Sequence, residues 1–155
     1  MCMKSLPYVV FILLTLAVGG LSSLAVAAGM PVYAQLVKPP LTPPSLLFPI
    51  AWTLLYILMA VGAAQVWNSA SGRRQDALTL YFVQLALNAL WSVWFFALQA
   101  RLFAFFWLLA LIAAIVRMIR SFSQINRIAG RLQIPYLLWC SFAAYLNFGV
   151  WLLNR

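Results

Sequence analysis

The sequence predicts an all-α integral membrane protein: a bundle of five transmembrane helices with a proline-rich loop between the first two. Of the 155 residues, 66% are hydrophobic and only 7% are charged, whereas about a quarter of the residues in a soluble domain are charged. Five stretches are apolar for roughly the 20 residues that cross a bilayer as a helix. Because neither a linker nor a long repeat divides the chain, we expect residues 1–155 to form one domain.

The five expected helices follow from the positions of these stretches. They cover residues 6–28, 46–67, 77–98, 102–120 and 134–153. The fourth apolar stretch ends at Val116, and we extend its helix to Arg120 because long cationic side chains can reach the interface from inside a span. The first stretch, with Lys4 and an Ala-Val-Ala triplet at 25–27, also resembles a secretory signal. It is long enough to span a bilayer, so we expect a retained helix.

The connections between the helices carry further expectations. The first connection, residues 29–45, is limited by its prolines to extended or turn conformations. These are Pro31, Pro39, Pro40, Pro43 and Pro44. Such a stiff segment would act as a lid over the bundle, or as an interfacial connector that touches no ligand. The short third connection, 99–101, makes helices three and four antiparallel neighbours. If helix four continued through the fourth connection, four arginines would share one face. They are Arg117, Arg120, Arg127 and Arg131.

The net charge of +9 does not indicate a nucleic-acid partner, because the basic residues follow the expected membrane topology. Seven lie on the side of the amino terminus: Lys4, Arg73, Arg74, Arg117, Arg120, Arg127 and Arg131. Lys38, Arg101 and Arg155 lie on the other side. In a bacterial cell membrane this bias places the amino terminus in the cytoplasm and the carboxyl terminus outside. Specific binding of anionic lipids or of a partner is the alternative explanation.

The residue types exclude most hydrolytic chemistry. Asp76 is the only carboxylate side chain and the chain has no histidine, so paired-carboxylate hydrolases, Ser-His-Asp triads and His/Asp/Glu metal sites are not expected. A bridge between Cys2 and Cys140 is implausible, and two thiols alone do not hold zinc. We therefore expect no cofactor and no bound metal. Any chemistry would have to use aromatic rings, hydroxyls, amides or a thiol.

Polar and aromatic residues at membrane depth indicate a ligand pocket, because an unpaired polar group in hydrocarbon is costly. Helix three carries a stripe of such residues with helical spacing: Tyr81, Gln84, Asn88, Trp91 and Phe95. The stripe is expected to face the bundle, either for hydrogen bonding between helices or as a pocket wall. Helices two and five add Trp52, Tyr56, Tyr136, Trp139, Ala143, Leu146 and Asn147. This set suits a flat hydrophobic molecule and does not suit an ion.

Other residues with regular spacing have simpler explanations. Trp67, Trp107 and Trp151 lie where interfacial belts or ordinary packing are expected. On helix one, small residues recur every four positions, at Gly19, Ser23 and Ala27. They permit a close helix approach, either inside the bundle or between subunits.

Several segments, in this order and spacing, resemble the tryptophan-rich sensory protein family, which includes mitochondrial translocator proteins. The matching segments are residues 33–39, 43–44, 48–56, 84–91 and 135–148. The resemblance implies a five-helix bundle, often dimeric, whose pocket opens toward the first loop and binds porphyrins such as protoporphyrin IX. It also implies sterols as ligands of some members and, in some bacterial members, light-driven porphyrin degradation that depends on the positions of Trp52 and Trp139.

The pocket positions that the resemblance carries over form our predicted ligand site. They are Ser23, Tyr33, Trp52, Tyr56, Asn88, Trp91, Trp139, Ala143 and Leu146, and we add Lys38 as a residue that could meet a propionate. Two positions where the family usually has lid tryptophans hold Val32 and Leu41, so stacking by the lid on a porphyrin is not expected. Leu152 replaces the basic residue of the family's sterol-recognition pattern, so tight sterol binding by that pattern is not expected.

The sequence thus predicts a membrane receptor or sensor for a porphyrin-like ligand, surrounded by the lipid bilayer and assembled as a homodimer. One alternative is an enzyme that degrades porphyrin with light and oxygen, with Trp52 and Trp139 as its catalytic residues. The other is a transporter of tetrapyrroles or sterols.

Overall fold

The computed structural model describes residues 2–155, with the side chains of Cys2 and Met3 outside the description. The helices are α1 (Cys2–Gln35), α2 (Leu47–Trp67), α3 (Arg74–Ser92), α4 (Arg101–Ile125), α5 (Arg127–Arg131) and α6 (Ile134–Leu153). A π-helical segment, Val93–Ala97, continues α3. Five helical spans in the described chain are long and apolar enough to cross a membrane. The all-α class and the five-span bundle are therefore confirmed.

The first helix is longer than the sequence predicted. It continues to Gln35, so the expected end at residue 28 is wrong and Pro31 lies inside the helix. Proline is tolerated in membrane helices where neighbouring elements hold the backbone, and here α1 packs on the π-helical segment. Gly29 lies directly against the backbone of Phe96, and the ring of Tyr33 is 5.5 Å from that of Phe96.

The loop between α1 and α2 is correspondingly shorter than expected and covers residues 36–46, which we call the lid. It retains four of the five prolines. Leu41 has a left-handed backbone with φ of 68°, which is a strained conformation for a residue other than glycine. A hydrogen bond from the Thr42 hydroxyl to the Pro39 carbonyl, 2.7 Å long, closes the turn around it. The lid is thus a compact turn.

The fourth helix is also longer than the sequence predicted, so its expected end at Arg120 is wrong, and it does not continue through the fourth connection. Helix α4 runs to Ile125, five residues beyond the predicted end, and then breaks at Asn126, whose backbone is extended. The side chain of Asn126 accepts hydrogen bonds from the amides of Ile128 and Ala129, at 2.8 and 3.2 Å, which starts α5. Asparagine is a preferred residue at this capping position. The arginines at 117 and 120 therefore lie on α4, while those at 127 and 131 lie on α5.

The antiparallel pairing of α3 and α4 is as expected from their short connection. The indole of Trp107 on α4 donates a 2.8 Å hydrogen bond to the Leu87 carbonyl on α3. Toward the end that carries the amino terminus the bundle has a dense core, in which Met59, Ile115 and Tyr136 are almost completely buried. The opposite end, between α1, α2, the π-helical segment and α6, is less filled and holds a cavity.

Candidate ligand pocket

A cavity of about 600 Å³ lies beneath the lid, between α1, α2, α3 and α6. All the residues predicted for the ligand site line it: Ser23, Tyr33, Lys38, Trp52, Tyr56, Asn88, Trp91, Trp139, Ala143 and Leu146. The helical spacing on which the prediction rested therefore brings these side chains together. That they bind a ligand stays a prediction.

Aromatic rings form most of the wall between α2 and α6. The ring of Trp52 stacks on Tyr56 with centroids 5.5 Å apart and an interplanar angle of 29°. It meets the Trp139 ring edge to face, with centroids 6.5 Å apart and an interplanar angle of 85°. The Phe48 ring also packs on Trp139, with centroids 5.9 Å apart. Aromatic pairs prefer offset-stacked and edge-to-face geometries of this kind. The wall therefore offers both ring faces and ring edges to an occupant.

A buried amide links three helices at the floor of the cavity. The Tyr56 hydroxyl donates to the Oδ1 of Asn88 at 3.2 Å, and the Nδ2 of Asn88 donates to the Tyr136 hydroxyl at 2.7 Å. Asn88 is 2% exposed. Because α2, α3 and α6 each supply one of these side chains, the hydrogen bonds fix the relative position of the three helices.

A second amide fixes the wall near the carboxyl-terminal end of α3. The indole of Trp91 donates a 3.1 Å hydrogen bond to Asn147, whose own Nδ2 donates to the Arg101 carbonyl at 2.8 Å. The Trp91 ring stacks on Phe95, with centroids 5.4 Å apart and an interplanar angle of 20°. The face of Trp91 is thereby held at one orientation by polar and ring contacts together.

Lys38 is the only charged side chain that lines the cavity within residues 2–155. Its ammonium group donates to the carbonyls of Ala34 and Leu36, at 3.2 and 3.3 Å, and lies 5.1 Å from the centre of the Tyr33 ring. Neutral carbonyls and a ring face leave its charge uncompensated, and a carboxylate on an occupant would complement it.

The stripe on α3 divides between two roles. Asn88, Trp91 and Phe95 line the cavity, whereas Tyr81 and Gln84 lie below it in the core. Tyr81 shares a hydrogen bond with Thr15 of α1, so the hydrogen-bonding interpretation holds for the lower part of the stripe. The pocket-wall interpretation holds for the upper part.

Some lining residues were not predicted. Phe96 follows Phe95 directly, and both line the cavity because the wider turn of the π-helical segment changes the helical register. Thr42, Pro43 and Ser45 come from the lid. No spacing rule indicates a π-helical segment or the path of a loop.

Gly19 on α1 also lines the cavity, although the sequence predicted only a close helix approach there. It faces Tyr56 so closely that an added Cβ would lie 2.5 Å from the ring.

The positions that depart from the family pattern lie away from the cavity lining. Val32 and Leu41 are not among the lining residues in the described chain, and Leu41 is 80% exposed.

Two of the tryptophans assigned to belts or packing lie next to arginines. The ring centre of Trp67 is 5.2 Å from the guanidinium carbon of Arg74, and that of Trp151 is 5.7 Å from the guanidinium carbon of Arg155. Neither ring reaches the cavity.

Comparison with known proteins gives a consistent result. A family model described as the TspO/MBR family matches residues 11–152. The tryptophan-rich protein TspO of Archaeoglobus fulgidus is 38% identical over 153 residues, which is 98% of this chain and 99% of the relative. The protein of the same name from Chlorobaculum tepidum is 38% identical over 79% of this chain and 78% of its own length. The translocator protein of Homo sapiens is 36% identical over 79% of this chain and 75% of its own length.

Proposed function

The chain belongs to the TspO/MBR family, and on that premise we propose that it is a membrane receptor or sensor for a flat hydrophobic ligand. The ligand we assign to the cavity beneath the lid is a porphyrin such as protoporphyrin IX. The protein itself is an integral membrane protein, with five spans in the described chain. Assembly as a homodimer stays a prediction from the family resemblance.

The observation that supports this proposal is the composition of the cavity wall. A volume of about 600 Å³ falls within the roughly 300–1,000 Å³ of small-molecule sites, which are mostly apolar with a few orienting polar groups. The rings of Trp52, Trp91 and Trp139 supply apolar faces that can stack on a macrocycle. Lys38 at the lid supplies one cation for a ligand carboxylate. A porphyrin with propionate groups has both of the features that these residues complement.

Titration of the purified protein with protoporphyrin IX, followed by the Soret absorbance, tests the proposal. We expect saturable binding to wild-type protein and its loss in Ala143→Phe, because the added ring would occupy the cavity. Ala113→Phe adds the same ring on the exposed side of α4 and is expected to bind like wild type. A titration of wild-type protein that matches empty detergent micelles would show that the proposal is wrong.

A second candidate function is favoured by the Trp52–Trp139 contact. Both rings line the cavity, so two readily oxidised indoles would face a photosensitised porphyrin. The bound porphyrin should then bleach faster than free porphyrin under equal illumination in air, and Trp52→Phe and Trp139→Phe should slow the bleaching. Equal bleaching rates in protein and in micelles would contradict the enzymatic function, and only the receptor function would remain.

A further inference from the structure

The lid is fastened to the carboxyl-terminal end of α6 by a paired hydrogen bond. The amide of Val37 donates to the Oδ1 of Asn154 at 2.9 Å, and the Nδ2 of Asn154 donates back to the Val37 carbonyl at 2.8 Å. The same Nδ2 also contacts the Val150 carbonyl at 2.7 Å. One side-chain amide thus satisfies both backbone groups of a lid residue while it remains anchored to α6.

Two further contacts fasten the middle of the lid to the same helix. The Tyr145 hydroxyl donates a 2.9 Å hydrogen bond to the Pro40 carbonyl. Pro39 is buried against Gly149, where an added Cβ would lie 2.7 Å from the Cβ of Pro39. Tyr145 and Gly149 are four residues apart and so share one face of α6. We call Tyr145, Gly149 and Asn154 the latch.

The lid residues next to these contacts are part of the cavity wall. Lys38 follows Val37 directly, and Thr42 and Pro43 lie just beyond Pro40; all three line the cavity. The latch residues themselves do not line it. Any effect of the latch on an occupant is therefore transmitted through the position of the lid.

The energetics of these contacts allow the lid to open without unfolding the bundle. The hydrogen bonds of Asn154 to Val37 and of Tyr145 to Pro40 are exposed, so water competes for the same groups and each bond contributes little on its own. Local openings of this kind have a much lower free energy than global unfolding. The helices below are joined through buried contacts that such an opening leaves intact.

We propose that Asn154 and Tyr145 are positioning residues of the ligand site, which hold the lid over the cavity and set the lifetime of the bound ligand. This inference rests on the proposed function, because it takes protoporphyrin IX as the occupant. Release of the latch moves Lys38 and the lid wall away from the cavity and lets the ligand leave.

The test compares variants with matched changes at the opposite side of the molecule. Asn154→Ala removes the pair of bonds to Val37, and Tyr145→Phe removes only the hydroxyl that reaches Pro40. Asn68→Ala is the control for the first, because Asn68 also follows a helix end and its side chain donates to a backbone carbonyl, that of Lys4, at 3.0 Å. Tyr8→Phe, near the start of α1, is the control for the second.

Two readouts separate the latch from the proposed function. The first is hydrogen exchange of the Val37 amide in protein without ligand, which reports how firmly this end of the lid is bonded to α6 and does not depend on an occupant. The second is the dissociation rate of protoporphyrin IX, measured by the recovery of tryptophan fluorescence after dilution into lipid vesicles. Thermal unfolding of each variant shows whether the bundle remains intact.

We expect Asn154→Ala to accelerate both Val37 exchange and ligand dissociation about fivefold, since it removes two exposed hydrogen bonds. Tyr145→Phe should accelerate dissociation about twofold, and all variants should unfold near the wild-type temperature. Unchanged Val37 exchange in Asn154→Ala would overturn the latch. Faster exchange with unchanged dissociation would overturn its role in ligand retention. Absence of saturable binding to the wild-type protein would instead contradict the proposed function.

Discussion

Asn88 illustrates how much of the pocket depends on one side chain. The residue is 2% exposed, and its amide joins the hydroxyls of Tyr56 and Tyr136. We expect Asn88→Ala to leave both hydroxyls without this partner and to destabilise the bundle by about 1–3 kcal/mol, the cost of an unsatisfied buried polar group. It should also weaken protoporphyrin IX binding, because the helices that hold the cavity walls lose their common link.

A double-mutant cycle isolates this interaction. Tyr136→Phe removes the hydroxyl that accepts from Asn88, so the effects of Asn88→Ala and Tyr136→Phe on unfolding in detergent should not add. Strictly additive changes in the free energy of unfolding would show that the two groups are not coupled.

Lys38 gives a prediction about the charge of the ligand. Its ammonium group has only carbonyl oxygens and a ring face as partners, so a propionate would be its only full counter-charge in the cavity. Lys38→Met should weaken binding of protoporphyrin IX by about fivefold, in line with a partly exposed ion pair. Binding of the dimethyl ester should not change. Lys4→Met, at the other end of the chain, is the control, and equal losses for acid and ester would contradict the assignment.

At the scale of elements, the sequence predicts the centres of the helices better than their ends. Apolar stretches located all five spans, because the bilayer requires about 20 apolar residues for each. The end of α1 was placed too early because Pro31 usually disrupts a helix, whereas packing of Gly29 on Phe96 stabilises the helix beyond it. The end of α4 was placed five residues too early, and the short helix α5 was not predicted, although an asparagine such as Asn126 is a typical capping residue.

The contact between the lid and α6 gives a prediction at the same scale. Gly149 allows Pro39 to lie directly on the helix, and an added Cβ would be 2.7 Å from the proline ring. Gly149→Ala should therefore displace the lid and accelerate hydrogen exchange at Val37, with little change in the unfolding temperature. Gly72→Ala is the matched control, because a Cβ added there would have no neighbour within 4 Å. Unchanged Val37 exchange in Gly149→Ala would show that the lid does not depend on this contact.

For the whole molecule, the charge distribution predicts the orientation in the membrane. The five spans put the two termini on opposite sides, and most basic residues lie on the side of the amino terminus. In a bacterial host the positive-inside rule places residue 74 in the cytoplasm and Arg155 outside. Alkaline phosphatase fused after Arg155 should be active, and the same enzyme inserted in the loop before Arg74 should be inactive. The reverse pattern would contradict the predicted topology.

The pocket was largely predictable because its walls are regular helices. Residues such as Asn88 and Trp91, or Trp139 and Ala143, are three or four positions apart, and this spacing alone places them on one face. Phe96 and Asn154 could not be found in this way, because one depends on a π-helical turn and the other on the path of a loop. Such features follow from tertiary packing, which the local sequence pattern does not encode.

The most direct test of the account is a protoporphyrin IX titration followed by quenching of tryptophan fluorescence, with wild type, Trp139→Ala and Trp67→Ala compared. Trp139 lines the cavity, whereas Trp67 lies at the opposite end of α2 and is 47% exposed. We predict saturable quenching in wild type and in Trp67→Ala, and a loss of affinity of about tenfold or more in Trp139→Ala, because a buried aromatic contact is removed. Equal affinity in the two variants, or no saturation in wild type, would contradict the claim that this cavity binds the ligand.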